Sequence, residues 1–211
     1  MASTIPKAAV SQDFDFFLVL DFEATCENKK QIQPQEIIEF PCLKVNGKTF
    51  EIDSVFHQYV KPRVHPQLTT FCTELTGIIQ EMVNDEPHFE QVMEVRKLVF
   101  RVPMFDNWMK KEKLLDSNVK SIFVTCGDWD LNIMLPNQCK YFAYDLPEYM
   151  KTWINIKKVK IVIQIYLNFF LDFSNLQTFC DVSKIWPKGI RPMLEYYSLQ
   201  QRGRLHSGIG E

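Results

Sequence analysis

The run Phe16-Phe17-Leu18-Val19-Leu20 ends in Asp21-Phe22-Glu23, and this junction constrains the chain more than any other feature. An unbroken apolar run of this length is expected of a central strand covered on both faces. Side chains alternate along a strand, so Asp21 and Glu23 point one way and Phe22 the other. Two carboxylates held together repel unless a proton or a cation lies between them. Hard divalent cations take oxygen ligands, which makes Mg²⁺ or Mn²⁺ the natural counter-charge. The alternative is a strand that simply runs out into polar loop.

The rest of the chain suits a packed globule. Its 211 residues, 46% hydrophobic and 13% aromatic, suffice for the core of one domain. A net charge of −2 excludes a protein that coats nucleic acid with a generally basic surface, but not one that grips a few phosphates in a cleft. The six cysteines show no C-x-x-C and no zinc-finger spacing with histidine, so reduced thiols are expected. Residues 1–13 lack a signal-like apolar stretch and read as a disordered lead. Ile161 to Phe173 is apolar but too short to span a bilayer. The expectation is an intracellular protein, cytoplasmic or nuclear, with no membrane association.

Strands are expected at Phe16–Phe22, Glu36–Val45, Thr49–Val60, Lys120–Thr125 and Trp153–Ile156. Asn46-Gly47 joins the second to the third as a hairpin signal. Thr69 to Gln80 reads as a short helical region broken at Gly77. Gln91 to Leu115 is helical in pattern with a breaker at Pro103, and Cys126-Gly127-Asp128-Trp129-Asp130 is followed by a helix-like run to about Leu135. Met193 to Gln201 suggests a further helix. Strands in antiparallel succession, then alternating with helices, predict an α/β domain over 14–211 with a mixed five-stranded sheet.

Asp128 and Asp130 follow the apolar strand Ser121-Ile122-Phe123-Val124-Thr125, repeating the arrangement at Asp21 and Glu23. Carboxyl ends of strands are where α/β sheets commonly place their sites. His206 lies five residues before Glu211. Carboxylates from separate strands plus a histidine are the equipment of two-metal phosphodiester hydrolysis, the histidine accepting the proton of the attacking water. Serine–histidine–acid chemistry is less well supported, because no Gly-x-Ser-x-Gly elbow is present.

Asp21-Phe22-Glu23-Ala24-Thr25-Cys26, Glu36-Ile37-Ile38-Glu39-Phe40-Pro41, Thr73-Glu74-Leu75-Thr76-Gly77-Ile78, Gly127-Asp128-Trp129-Asp130 and Gly203-Arg204-Leu205-His206-Ser207-Gly208-Ile209 occur in that order. Together they resemble the DEDDh 3′→5′ exonucleases, in the branch of the 3′ histone-mRNA exonuclease and the enhanced-RNAi exoribonucleases. The resemblance implies an RNase H-like exonuclease fold, two Mg²⁺ or Mn²⁺ ions, and an RNA 3′ end, single-stranded or overhanging, as partner. By position, Asp21, Glu23 and Asp130 match metal-binding acids, with Glu211 at the place of the fourth. Glu23 and His206 match catalytic residues, His206 as general base. Glu23, Ala24, Leu75, Trp129 and His206 match contacts to the terminal nucleotide; for Leu75 and Trp129 the alternative is core packing. Asp128 reads as a loop or helix-capping acid, and His57, His65 and His88 as surface or hydrogen-bonded residues.

The chain departs from the family pattern in three places. Residues 95–104 and 159–173 are atypical, and the chain stops at Glu211, where the family has aspartate followed by a helix. These departures are read as intron-derived sequence, and the last helix of the fold is expected to be missing. The leading reading is a metal-dependent 3′→5′ exoribonuclease releasing nucleoside 5′-monophosphates. A catalytically impaired RNA-end-binding or protein-interaction module of the same fold is the alternative, and a DNA proofreading exonuclease shares the chemistry.

Overall fold

In the computed structural model of the protein, the described residues are 13–93 and 103–157, together with Arg191, Leu194, Glu195 and Ser198. His206, Glu211 and, but for Pro103 and Met104, the atypical stretches 95–104 and 159–173 lie outside them. So does the expected helix over 193–201, apart from Leu194 and Glu195, which are helical, and Ser198.

Strands β1 (Phe16–Leu20), β2 (Glu23–Ala24), β3 (Ile37–Asn46), β4 (Ile52–Tyr59), β5 (Ser121–Thr125) and β6 (Trp153–Asn155) form one mixed sheet. β3 pairs antiparallel with β1 and β4, while β1–β5 and β5–β6 are parallel. The sheet has six strands rather than five because the expected first strand divides. Leu20 lies opposite Cys42 and Glu23 opposite Glu39, so β1 and β2 share one register along the same edge of β3. That register sets Asp21 opposite Pro41, which has no N–H to give the ladder. Pairing lapses at Asp21 and Phe22 and resumes at Glu23.

The two faces differ as period-2 alternation requires. Leu18, Leu20, Phe22, Phe40, Cys42 and Phe56 are buried together in the main core, whereas Val19 and Val55 on the other face are exposed. Helix α3 (Met104–Lys111) covers the core face through Phe105, whose ring lies 4.5 Å from that of Phe40 and 5.0 Å from that of Phe56. Phe22 meets Phe40 edge-on at 4.9 Å, a favoured aromatic geometry.

Several expected boundaries move, each for a local reason. Asn46 Oδ1 accepts from the N–H groups of both Lys48 and Thr49, and Phe50 takes a left-handed φ of 58°. This side-chain turn makes a longer hairpin loop than Asn-Gly promises, and β4 starts at Ile52 instead of Thr49. Helix α1 (Thr70–Thr76) begins where Thr69 Oγ1 accepts the Cys72 N–H and ends at Gly77, with φ 80°. It is followed by a separate 3₁₀ turn at Gln80–Met82. The expected 91–115 helix is represented by α2 (Phe89–Val92) and α3, with Pro103 directly before α3.

After β5 the chain makes a π-helical turn at Trp129–Met134 that runs straight into α4 (Leu135–Phe142), past the expected end near Leu135. Pro136 sits in the first turn of α4; it cannot donate to the carbonyl four residues back, and its ring crowds that carbonyl. The wide turn relieves this conflict: Leu135 N–H reaches back five residues to the Asp130 carbonyl. No helix among the described residues is long and apolar enough to cross a membrane.

Lys44, nearly buried in β3, ties the sheet to the end of α3. Its Nζ donates to Glu112 Oε2 at 2.9 Å and lies 4.2 Å from the Phe16 ring centroid. The Lys44 hydrogen bond, above all, holds the Glu112 carboxyl below its ordinary value, against the effect of burial. A carboxylate so depressed stabilises the fold above its ordinary pKa, and that stability is lost as pH falls through the folded-state value. Lys44→Met is therefore expected to lose about 1–2 kcal/mol at pH 7 and progressively less below pH ~4. Urea denaturation of both proteins across this range checks the expectation; an equal loss at every pH would refute it.

Candidate active site

The parallel pairing of β1 with β5, Val19 opposite Val124, brings the carboxyl ends of both strands to the same end of the sheet. Asp21 and Glu23 leave the first and Asp130 follows the second. One hydrogen bond joins the two groups: the Phe22 backbone N–H donates to Asp130 Oδ1 at 2.8 Å across 108 positions of sequence. Along β1 the N–H groups alternate, that of Phe16 reaching the Lys120 carbonyl on the β5 side, so the Phe22 N–H also points to the β5 side, where pairing ends at Val19–Val124 and leaves it to the carboxylate. The π turn that starts at Trp129 delivers Asp130 to it. Asp130 and Glu23 are 3% and 8% exposed, and Asp21 is half-buried.

Negative charge accumulates on this face. Glu23 lies directly opposite Glu39 in the sheet, an arrangement that is unfavourable for like charges. Glu39 Oε1 is in turn 2.7 Å from His57 Nε2. Burial, and then the charge of Glu39, push the Tyr59 hydroxyl pKa up. Cys26 and Cys72 hydrogen-bond to each other. Cys26 holds its proton, its pKa raised first by that bond, then by burial and by the charges of Cys72, Glu23 and Glu27. Cys72 is held down to about 7, chiefly by the bond from Cys26.

The strand end is fixed from several sides. Thr25 Oγ1 accepts from Glu36 N–H and Thr25 N–H donates to the Glu36 carbonyl. The buried Glu36 carboxylate accepts the backbone N–H groups of Arg63, Val64 and His65. From α4, Gln138 Oε1 accepts the Ile37 N–H at 2.9 Å. Thr69 Oγ1 donates to the Cys26 carbonyl at 2.7 Å, and the Cys72 thiol reaches the Ala24 carbonyl at 3.7 Å. These two contacts dock α1 beside Ala24.

Leu75, one turn further along α1, is 37% exposed rather than part of the core. Trp129 is half-buried, with part of its indole packed on the main core. The structure thus gathers Asp21, Glu23, Ala24 and Asp130 at one strand end, with Leu75 on the docked helix and Trp129 next to Asp130.

Of the two roles expected for Asp128, loop acid and helix cap, the structure shows the first. The residue precedes the π turn without a side-chain cap, and its Oδ1 instead accepts from Asn155 Nδ2 at 2.8 Å, fastening β6 to the site loop. His57, His65 and His88 are all hydrogen-bonded, to Glu39, to the Gln33 carbonyl and to the Lys61 carbonyl. Sequence reasoning missed the supporting roles of Glu36, Glu39 and Gln138. The two acids were within a quoted motif, but nothing local to Gln138 signals its bond to a residue 101 positions away.

The donor set fits a hard divalent cation. Asp21, Glu23 and Asp130 offer carboxylate oxygens only, in a region where like charges already crowd. Among the described residues no three His, Cys, Asp or Glu side chains close into a metal-binding group by themselves. The Phe22–Asp130 bond makes a prediction independent of any metal. Asp130→Asn keeps an oxygen acceptor for the Phe22 N–H, whereas Asp130→Ala leaves it unsatisfied and is expected to cost about 1–3 kcal/mol more. Chemical denaturation of the two variants checks this; equal stabilities would show that the bond contributes nothing.

Comparison with known proteins gives this arrangement its context. Residues 18–210 match the RNase T family, described as exonuclease. Human and bovine proteins named ERI1 exoribonuclease 3 are each 54% identical over 201 residues, covering 95% of this chain and 51% of theirs. The chain therefore spans about half the length of the curated relatives it matches. A human 3′-5′ exoribonuclease 1 is 34% identical, over 94% of this chain and 49% of its own length. The solved nuclease domain of 3′hExo, a DEDDh family member bound to rAMP, superposes with a TM-score of 0.76 at 31% identity. That match covers 95% of this chain and 88% of the domain. The mixed α/β sheet is that of the RNase H-like exonucleases, and the chain belongs to the RNase T exonuclease family, among its DEDDh members.

Proposed function

We propose that the protein is a divalent-metal-dependent 3′→5′ exoribonuclease that releases nucleoside 5′-monophosphates from single-stranded or overhanging RNA 3′ ends. The observation that carries the reading is the Phe22–Asp130 bond, which sets an acid from one strand beside the Asp21–Glu23 pair of another. Membership of the exonuclease family and the exoribonuclease names of its relatives support it.

In this reading Asp21, Glu23 and Asp130, with Glu211 as a fourth ligand, hold two Mg²⁺ or Mn²⁺ ions. When bound, such ions neutralise charge on the attacking and leaving oxygens of a phosphodiester. His206 accepts the proton of the attacking water; an imidazole, with an ordinary pKa near 6.5, suits that task at neutral pH. Glu23 and Ala24 contact the terminal nucleotide at the strand end. Leu75 and Trp129 hold its base from two sides, the indole by stacking, which tolerates any base. The hydrogen bonds around Thr25, Glu36 and Gln138 keep the strand end in place, so little reorganisation is left for the reaction itself.

The test is digestion of a 3′-labelled RNA oligonucleotide with Mn²⁺ present. Wild type is expected to release labelled mononucleotide, and EDTA to stop it. Asp21→Asn is expected to slow release by at least ~100-fold without loss of the fold. Equal release by wild type and variant would overturn the assignment. Tight RNA binding by wild type without release would favour a non-catalytic RNA-end-binding module, and faster release from a matched DNA strand would favour a DNA exonuclease.

A further inference from the structure

Beside the carboxylate site lies a cavity of ≈ 440 Å³ that shares Trp129, but no other residue, with the roles above. This volume is in the range of small-molecule sites and is ample for a nucleobase. One wall comes from the loop after β2, with Gln33 and Gln35; the other comes from the π turn and α4, with Trp129, Asn137, Lys140 and Tyr141. Among the described residues no carboxylate lines it, in contrast to the acid-rich strand end next door. Both walls are tethered to that strand end. Gln35 Nε2 donates to the carbonyl of Thr25, two residues past Glu23, at 3.1 Å. Trp129 is the peptide neighbour of Asp130.

The lining has a specific chemistry. The Tyr141 ring is 57% exposed although it sits at the cavity; the Phe142 ring meets it at 5.1 Å and 77°, and its exposed part is open to a stacking base. Carboxamides present donors and acceptors together, matching the edges of unpaired bases. Lys140 supplies one positive charge for a phosphate. An apolar ligand would strand the carboxamides, and an acidic peptide would find a single cation. A base on a sugar-phosphate strand uses all three features at once.

We propose that this cavity seats the base of a nucleotide upstream of the 3′-terminal one in the same RNA strand, with Tyr141 as its stacking platform. The inference rests on the exoribonuclease reading for the polarity of the strand. It makes the protein sensitive to substrate length: a dinucleotide leaves the cavity unused, whereas a longer single strand fills it.

The experiment compares wild type, Tyr141→Phe and Tyr141→Ala, as the full chain, on a ribodinucleotide and on a single-stranded dodecamer. Binding of the same RNAs is read by fluorescence anisotropy without divalent cation, so that nothing is consumed. For Tyr141→Ala the ratio of its KM to that of wild type is expected to be about 10 on the dodecamer and to fall toward one on the dinucleotide. The binding constants should follow the same ratio, and Tyr141→Phe should restore the dodecamer value. In wild type, 4-thiouridine placed second or third from the 3′ end should photocrosslink to the peptide bearing Tyr141; at the 5′ end it should not.

A KM ratio that is the same at both lengths, or a Phe variant no better than the Ala variant, overturns the proposal. So does the absence of the crosslink. If wild type digests RNA and none of these effects appears, this inference fails and the exoribonuclease reading stands. If nothing is digested but binding shows the Tyr141-dependent length effect, the reverse holds. If wild type binds neither RNA, both fall.

Discussion

The site depends on the Phe22 N–H that the sheet does not use. Strand alternation turns it away from β3, to the side on which the Phe16 N–H meets the Lys120 carbonyl, and β1–β5 pairing ends at Val19–Val124, so no carbonyl of β5 takes it and the Asp130 carboxylate does. On the other side Pro41 interrupts the ladder with β3: the register shared by Leu20–Cys42 and Glu23–Glu39 brings it opposite Asp21, where it has no N–H to contribute. The interruption is local, because the same register resumes at Glu23. Asp21 and Glu23 therefore keep the common face that strand alternation gives them. Phe22 meanwhile stays locked in the core against Phe40, with its backbone turned to Asp130. Order in the core and order among the acids are two sides of one residue.

Around that bond the fold places rigid elements with few exceptions, and it ties the exceptions down. Residues 61–66 form no regular structure, yet three consecutive N–H groups, of Arg63, Val64 and His65, converge on the Glu36 carboxylate. A buried carboxylate with three backbone donors replaces most of the hydration it has lost. It holds a loop in place as a strand would. Gln138 does the same for the first N–H of β3, that of Ile37, opposite Ala24 where the β2–β3 register shifts. The wide turn at Trp129–Met134, forced where Pro136 cannot complete the α ladder, sets the angle at which Asp130 leaves β5. A proline in β3 and a proline in α4 thus shape the two halves of the site, each by withholding one hydrogen bond.

These prolines also mark the limit of what the sequence makes legible. The face shared by Asp21 and Glu23, the central strand and its mixed sheet follow from period-2 alternation and apolar runs, and these are local. The start of a helical region at Thr69 and its break at Gly77 are equally local, and both stand in the structure. Asn46-Gly47 misled because the Asn46 side chain closes its own turn over Lys48 and Thr49, a choice that the dipeptide does not reveal. Asp128 reads from the sequence as a loop or capping acid and is the former; its partner, Asn155, belongs to another strand and could not be seen. Gln138, Lys44 and Glu112 reveal their roles only once distant segments meet. Residue identity tells what each can donate or accept, but not across which gap.

Charge is divided between two neighbouring surfaces, and that division argues for how a strand of RNA would be held. A polyanion is repelled by Glu23, Glu39, Asp21 and Asp130 unless cations intervene, so an RNA 3′ end is held at the acid cluster only to the degree that metal is bound there. Among the described residues the cavity at Tyr141 is lined by no carboxylate. Under the reading proposed above, attachment of the strand and chemistry at its end then draw on different interactions. Stacking and carboxamide contacts are nearly insensitive to salt and metal, while the carboxylate site depends on both. With the whole chain at a net charge of −2, long-range attraction contributes little to either. An end must be recognised by what it touches, and the touching surfaces converge where Trp129 stands beside Asp130.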